Sequence, residues 1–177
     1  IKDARSGSGV NIVTDNLTMN AQSIGASNNL LEINLLEKDG SRGLLKAEAT
    51  GGGIYLEELE GNLNLSLVNA TGDVILKAAK SILNSSTDTG MAMVKAAKAS
   101  LIAGEALGSA DKYLLLEVDF LGAEAGDGDI WLQNYGDLAV GKVISHTGDI
   151  TIKVLGGSLL DGNPDVFQGN PELLALW

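Results

Sequence analysis

Short runs of alternating apolar and polar residues recur about every twenty positions in this chain, and that recurrence limits the folds open to it. Leu17-x-Met19-x-Ala21, Val74-x-Leu76-x-Ala78 and Ile150-x-Ile152-x-Val154 share one plan, followed by Ser23-Ile24, Ser81-Ile82 and Ser158-Leu159; Ala92-x-Val94-x-Ala96 with Ser100-Leu101 is a fourth copy. Alternation at period two marks a strand with one buried face. Taking Val10, Ile33, Ile54, Val74, Ala92, Leu114, Ile130 and Ile150 as the first inward residue of successive units gives seven steps across 140 positions, or 20 residues per unit. A period of that length predicts a solenoid, in which no unit buries its apolar face alone and neighbours must stack. Val74, Leu76, Ile130, Leu132, Ile150 and Ile152 should then point inward, and Lys77, Gln133 and Lys153 outward.

A longer repeat overlies the short one. Gly53-Ile54-Tyr55-Leu56 matches Asp129-Ile130-Trp131-Leu132, and both copies run on to Thr-Gly-Asp before Val74 and Ile150, an offset of 76 at either end. Turn residues agree: Gly51-Gly52-Gly53, Thr71-Gly72-Asp73, Gly126-Asp127-Gly128 and Thr147-Gly148-Asp149 each stand just before a strand. The two prolines are Pro164 and Pro171, which leaves residues 1–163 free to pair backbone throughout. One stretch conflicts. Residues 74–83 and 91–107 are rich in Ala, Lys and Leu, which favour helix. Lys77-Ala-Ala-Lys80 recurs as Lys95-Ala-Ala-Lys98, however, and its first copy aligns with the β-branched run at 150–154. Both copies therefore read as strands, over 74–78 and 92–96.

The composition fits a layered aliphatic interior, with 45% apolar residues of which few are aromatic (4% of the chain). A net charge of −11 repels phosphate backbones and anionic lipids, so neither nucleic acid nor membrane insertion is expected. Zero cysteines exclude disulfides and thiolate chemistry, and the single histidine, His146, cannot form a two-histidine metal site by itself. The opening Ile1-Lys2-Asp3 reads as the interior of a longer chain.

The units at 72–83 and 148–162, with Ala49-Thr-Gly-Gly-Gly-Ile-Tyr-Leu-Glu-Glu58, resemble the repeats of filamentous-haemagglutinin-like large exoproteins, bacterial adhesins, over about residues 10–162. The resemblance implies an all-β, right-handed parallel β-helix, here of about eight rungs. It also implies secretion to the cell surface or beyond, a role in adhesion, and no catalytic machinery in the shaft. On this reading residues 1–165 are β-helix repeats and 166–177 a capping or linking tail.

Candidate chemistry is sparse. His146 could act as a base only on Ser145 or Thr147, yet adjacent strand residues face opposite ways, so it reads as a solvated turn residue. Glu57, Glu58, Glu60, Glu117, Asp119, Asp127, Asp129 and Asp137 supply carboxylates. Glycosidases need two carboxyls about 5–10 Å apart. Rungs stack at ~4.8 Å, so almost any neighbouring pair qualifies and the distance selects nothing. Asp161, Asn163, Asp165 and Glu172 fall at positions 1, 3, 5 and 12 of a calcium loop, but Val166 occupies the glycine position, and the segment reads as a turn. Neither a metal nor a cofactor is expected. Tyr55 and Trp131 each lie between inward residues, which aims both rings outward as candidate contacts for a cell-surface glycan or protein receptor. The expected function is therefore a non-catalytic adhesive shaft segment, stacked against further rungs of its parent chain. A β-helical polysaccharide lyase or glycoside hydrolase is the alternative.

Overall fold

The computed structural model describes residues 9–36, 43–88 and 90–163. Among the described residues fourteen strands, and no helix, wind into an all-β parallel solenoid of about seven turns, close to the eight rungs expected. Every pairing between strands among the described residues is parallel. The tail at 166–177 lies outside the described residues.

The first face is clearest where β5 (Ile54–Glu58), β7 (Val74–Ala78), β9 (Val94–Ala103) and β10 (Leu114–Ala125) stack. Ile54, Val74, Ala99 and Leu121 form one inward column, and Leu56, Leu76, Leu101 and Ala123 the next. All eight are buried. Each large aliphatic residue so buried contributes about 1.5–3 kcal/mol. The chain then turns a corner and runs through β6 (Leu63–Ala70), β8 (Ile82–Asn84), β11 (Ile130–Tyr135) and β13 (Ile150–Leu155). Bridges there link Leu63 to Ile82, Leu107, Ile130 and Ile150 in turn. Strands β9 and β10 bend across both regions and so belong to two ladders. Val94 lies against Val68, whereas Ala99 lies against Val74.

The corners depend on two devices. Gly72 and Gly148 sit directly on the turns one rung earlier, so an added Cβ would stand 2.9 Å from the Gly52 carbonyl carbon and 2.7 Å from that of Gly128. In addition, Asn or Asp carboxamide and carboxylate oxygens accept backbone N–H groups of the next rung: Asn62 from Ser81 (3.1 Å), Asp129 from Asp149 (2.8 Å) and Asp137 from Ser158 (2.7 Å). These bonds extend the ladder around bends where strands cannot pair. Asp137→Ala should cost about 1 kcal/mol, readable as a lower urea midpoint with unchanged slope.

Three details of the sequence reading need correction. Val74 pairs with Ala99 rather than Ala92, so the fourth copy is displaced by seven residues and Lys77 lies beside Ile102, not Lys95. The reason is an excursion between β8 and β9, which lengthens that turn to 25 positions. The stretch is a strand as expected, but it begins at Val94, and tertiary pairing overrides its helical propensity. Second, Ile54 and Ile130 occupy different faces, because turns of unequal length make 76 residues a non-integral number of rungs. Third, other steps of the inward series are out of register: Ile12, not Val10, is the partner of Ile33, Ile33 stacks on Glu58 rather than Ile54, and Leu114 stacks on Leu132 rather than Ile130. Val74, Leu76, Ile130 and Leu132 are buried as expected. Ile150 and Ile152 stack inward on Ile130 and Leu132, but in the last described rung, where Ile150 keeps 44% exposure.

Candidate functional site

Strand alternation puts Tyr55, Ile75, Ser100 and Gly122 in one outward column of the first face. Their side chains shrink along the axis, so the column descends into a trough. Ser27, Asp73, Lys98 and Phe120 complete its rim, and it encloses about 340 Å³. Tyr55 stands at one end, its ring folded over Gly53, where a Cβ would come 2.4 Å from the phenol oxygen. Its backbone N–H donates to the Ile24 carbonyl at 2.8 Å, and Gly25 at φ 68° lets the chain pass close by. Phe120 stands at the other end, where β10 turns its corner between inward Val118 and Leu121. Its ring lies on Gly141 and Gly162, at 2.6 and 2.8 Å from their would-be Cβ atoms. Both rings are half-buried. A second depression, shared at Ser100 and Gly122, continues the trough towards Lys142 and Ile144.

Trp131 belongs to another aromatic group. Its ring meets Tyr113 edge-on at 5.5 Å and 79°, and the Lys153 ammonium lies 4.0 Å from the Tyr113 ring centroid. The indole N–H reaches the Asp129 carboxylate at 3.4 Å, and the Gln133 amide donates to the Tyr135 hydroxyl at 3.2 Å. Tyr55 and Trp131 are thus not equivalent points of one surface. Each heads a separate aromatic group, with Phe120 and Tyr113 as the partners that sequence reading missed. Their signal was weak: Phe120 sits at a bend where alternation breaks, and Tyr113 ends the excursion at 108–113.

Several of the other candidates have structural partners. A His146 ring nitrogen lies 2.9 Å from the Glu124 carboxylate on the surface. The Ser145 hydroxyl is engaged with the Gly128 carbonyl and the Gly148 N–H, and that of Thr147 with the Gly126 carbonyl. Glu57 and Glu117 pair with Lys77 and Lys95 of neighbouring rungs at 2.7 and 2.8 Å, exposed pairs worth about 0.2–1 kcal/mol each. Asp161 accepts from the Asn163 N–H in a local turn, and Asp165 and Glu172 lie outside the described residues. Among the described residues no cluster of three potential metal ligands occurs. No helix of the described residues is long and apolar enough to cross a membrane.

Glu58 is the exception to the solvated acids. It points inward beyond Ile54 and Leu56 and is fully buried. Its two carboxyl oxygens accept the N–H groups of Leu35 (2.7 Å), Glu60 (3.2 Å) and Gly61 (3.1 Å). Burial raises its pKa above the ordinary value of 4.5, and these hydrogen bonds oppose the shift without cancelling it. The group ties β3 (Leu31–Leu35) to the next corner. No protein family, curated protein or solved structure matches the chain.

Proposed function

We propose that this chain is a non-catalytic, adhesive shaft segment of a large secreted or cell-surface bacterial protein of the filamentous-haemagglutinin-like kind. The observation that carries the reading is a parallel solenoid whose half-buried aromatic rings are distributed over two outer faces, while Glu57, Glu58, Glu117, Asp129 and Asp137 are engaged in holding rungs and corners together. The parallel solenoid is an architecture shared by adhesive shafts and polysaccharide-processing enzymes. Adhesion requires repeated weak contacts along a stiff support, which multivalency turns into firm attachment. A glycan or protein receptor on another cell would meet Tyr55 on one face and Trp131 on the other.

The test is binding of the purified, labelled segment to whole cells by flow cytometry, run beside a reducing-end assay on neutral and acidic polysaccharides. Saturable binding without release of reducing ends is the expected result. Tyr55→Ala combined with Trp131→Ala should weaken cell binding about thirtyfold, since each ring contributes about 1 kcal/mol, while the far-ultraviolet circular dichroism of the solenoid is retained. Release of reducing ends or unsaturated sugars would overturn the reading in favour of a lyase or hydrolase.

A further inference from the structure

We infer that the trough between Tyr55 and Phe120 is a binding site for a neutral oligosaccharide lying along the solenoid axis. The inference rests on the adhesive reading and names the ligand class of one of its faces. Gly122 supplies the decisive observation. Its backbone φ lies outside the left-handed region, and a Cβ added there would meet nothing nearer than the Lys142 carbonyl oxygen at 3.8 Å. The fold therefore does not require glycine at this position, unlike the corner glycines. Its missing side chain instead keeps the floor of the trough open between two aromatic walls. Ser100 beside it is small as well and brings a hydroxyl to the same floor.

The chemistry of the rim narrows the occupant. Asp73 and Lys98 offset each other, and Glu124 and Lys142 do so in the continuing depression. The site is locally neutral on a chain of net charge −11, which leaves a polyanionic sugar without a complementary field. An extended peptide could not add as a strand, because β5, β7, β9 and β10 are each paired along both edges. Recognition must come from side chains. Aromatic faces suit the C–H faces of sugar rings, and serine, aspartate and lysine suit their hydroxyls. Three rung steps separate Tyr55 from Gly122, roughly 14 Å at ~4.8 Å per rung, so the occupant is a run of a few sugar units.

Isothermal titration with cellohexaose, chitohexaose and mannohexaose tests this, with hexagalacturonate as the charged control. At least one neutral hexaose should bind weakly, and Phe120→Ala and Gly122→Val should each lower its affinity about tenfold or more. Gly122→Val fills the trough without removing a contact, so it should fold with an unchanged melting temperature even if Phe120→Ala exposes Gly141 and destabilises the corner. Equal binding by the parent and Gly122→Val, or binding of hexagalacturonate alone, would overturn the inference. If the parent binds cells but no neutral hexaose, the trough assignment falls and the adhesive reading stands. If it binds neither, both fall.

Discussion

Leu132→Asp should unfold the chain, and Gln133→Asp, one residue away, should leave its melt almost unchanged. Leu132 is fully buried and stacks between Leu114 and Ile152, whereas Gln133 faces outward and donates to the Tyr135 hydroxyl. A carboxylate at position 132 would be buried with no counter-charge, at a cost of several kcal/mol, about 4 or more. At position 133 the same group meets water, within about 0.5 kcal/mol of the parent. Circular dichroism during urea titration separates the two outcomes. Comparable tolerance of both substitutions would mean that β11 presents its other face to the core.

Glu58→Ala should cost about 3 kcal/mol, because it strands the buried Leu35 N–H, weakens the corner at Glu60 and Gly61 and opens a void. Glu58→Gln should cost less but not nothing. It has one carboxamide oxygen for donors on two sides, so its NH2 group would confront either Leu35 or the corner. The pH dependence has a definite sign. Since burial holds the folded carboxyl above 4.5, the contribution of Glu58 is fully present below that pH and declines as pH rises through the folded value. The stability gap between the parent and Glu58→Gln should accordingly narrow between mildly acid and neutral solution, as read from urea midpoints. A gap that widened with pH would show the three N–H donors to outweigh burial.

The solenoid was legible because it depends on parity and period, which survive substitution. Ile54, Leu56, Val74 and Leu76 keep their inward parity, and the turn glycines mark the corners. Even Glu58 carried a signal, since alternation places it on the inward side with Ile54 and Leu56. Rung register was less legible. It depends on the lengths of the connections between strands, as between β8 and β9, so Lys95-Ala-Ala-Lys98 looked like the stacking partner of Lys77-Ala-Ala-Lys80 but is not. The trough was hidden for the same reason. Tyr55 and Phe120 lie 65 positions apart in sequence, and only the observed register puts Ile75, Ser100 and Gly122 in a line with Tyr55.

That register can be tested directly in a chain without cysteine. Lys77 and Ile102 are outward partners on adjacent rungs, so Lys77→Cys with Ile102→Cys should place two cysteine Cα atoms at the rung spacing of ~4.8 Å, inside the 4.4–6.8 Å that a disulfide spans. Mild oxidation followed by mass spectrometry under native conditions should show near-complete intramolecular bridging in that double variant. It should show little in Lys77→Cys with Lys95→Cys, the pair that the sequence repeat alone would align. Bridging of the 77/95 pair in place of the 77/102 pair would contradict the register, and with it the faces, the trough and the placement of every outward residue on them.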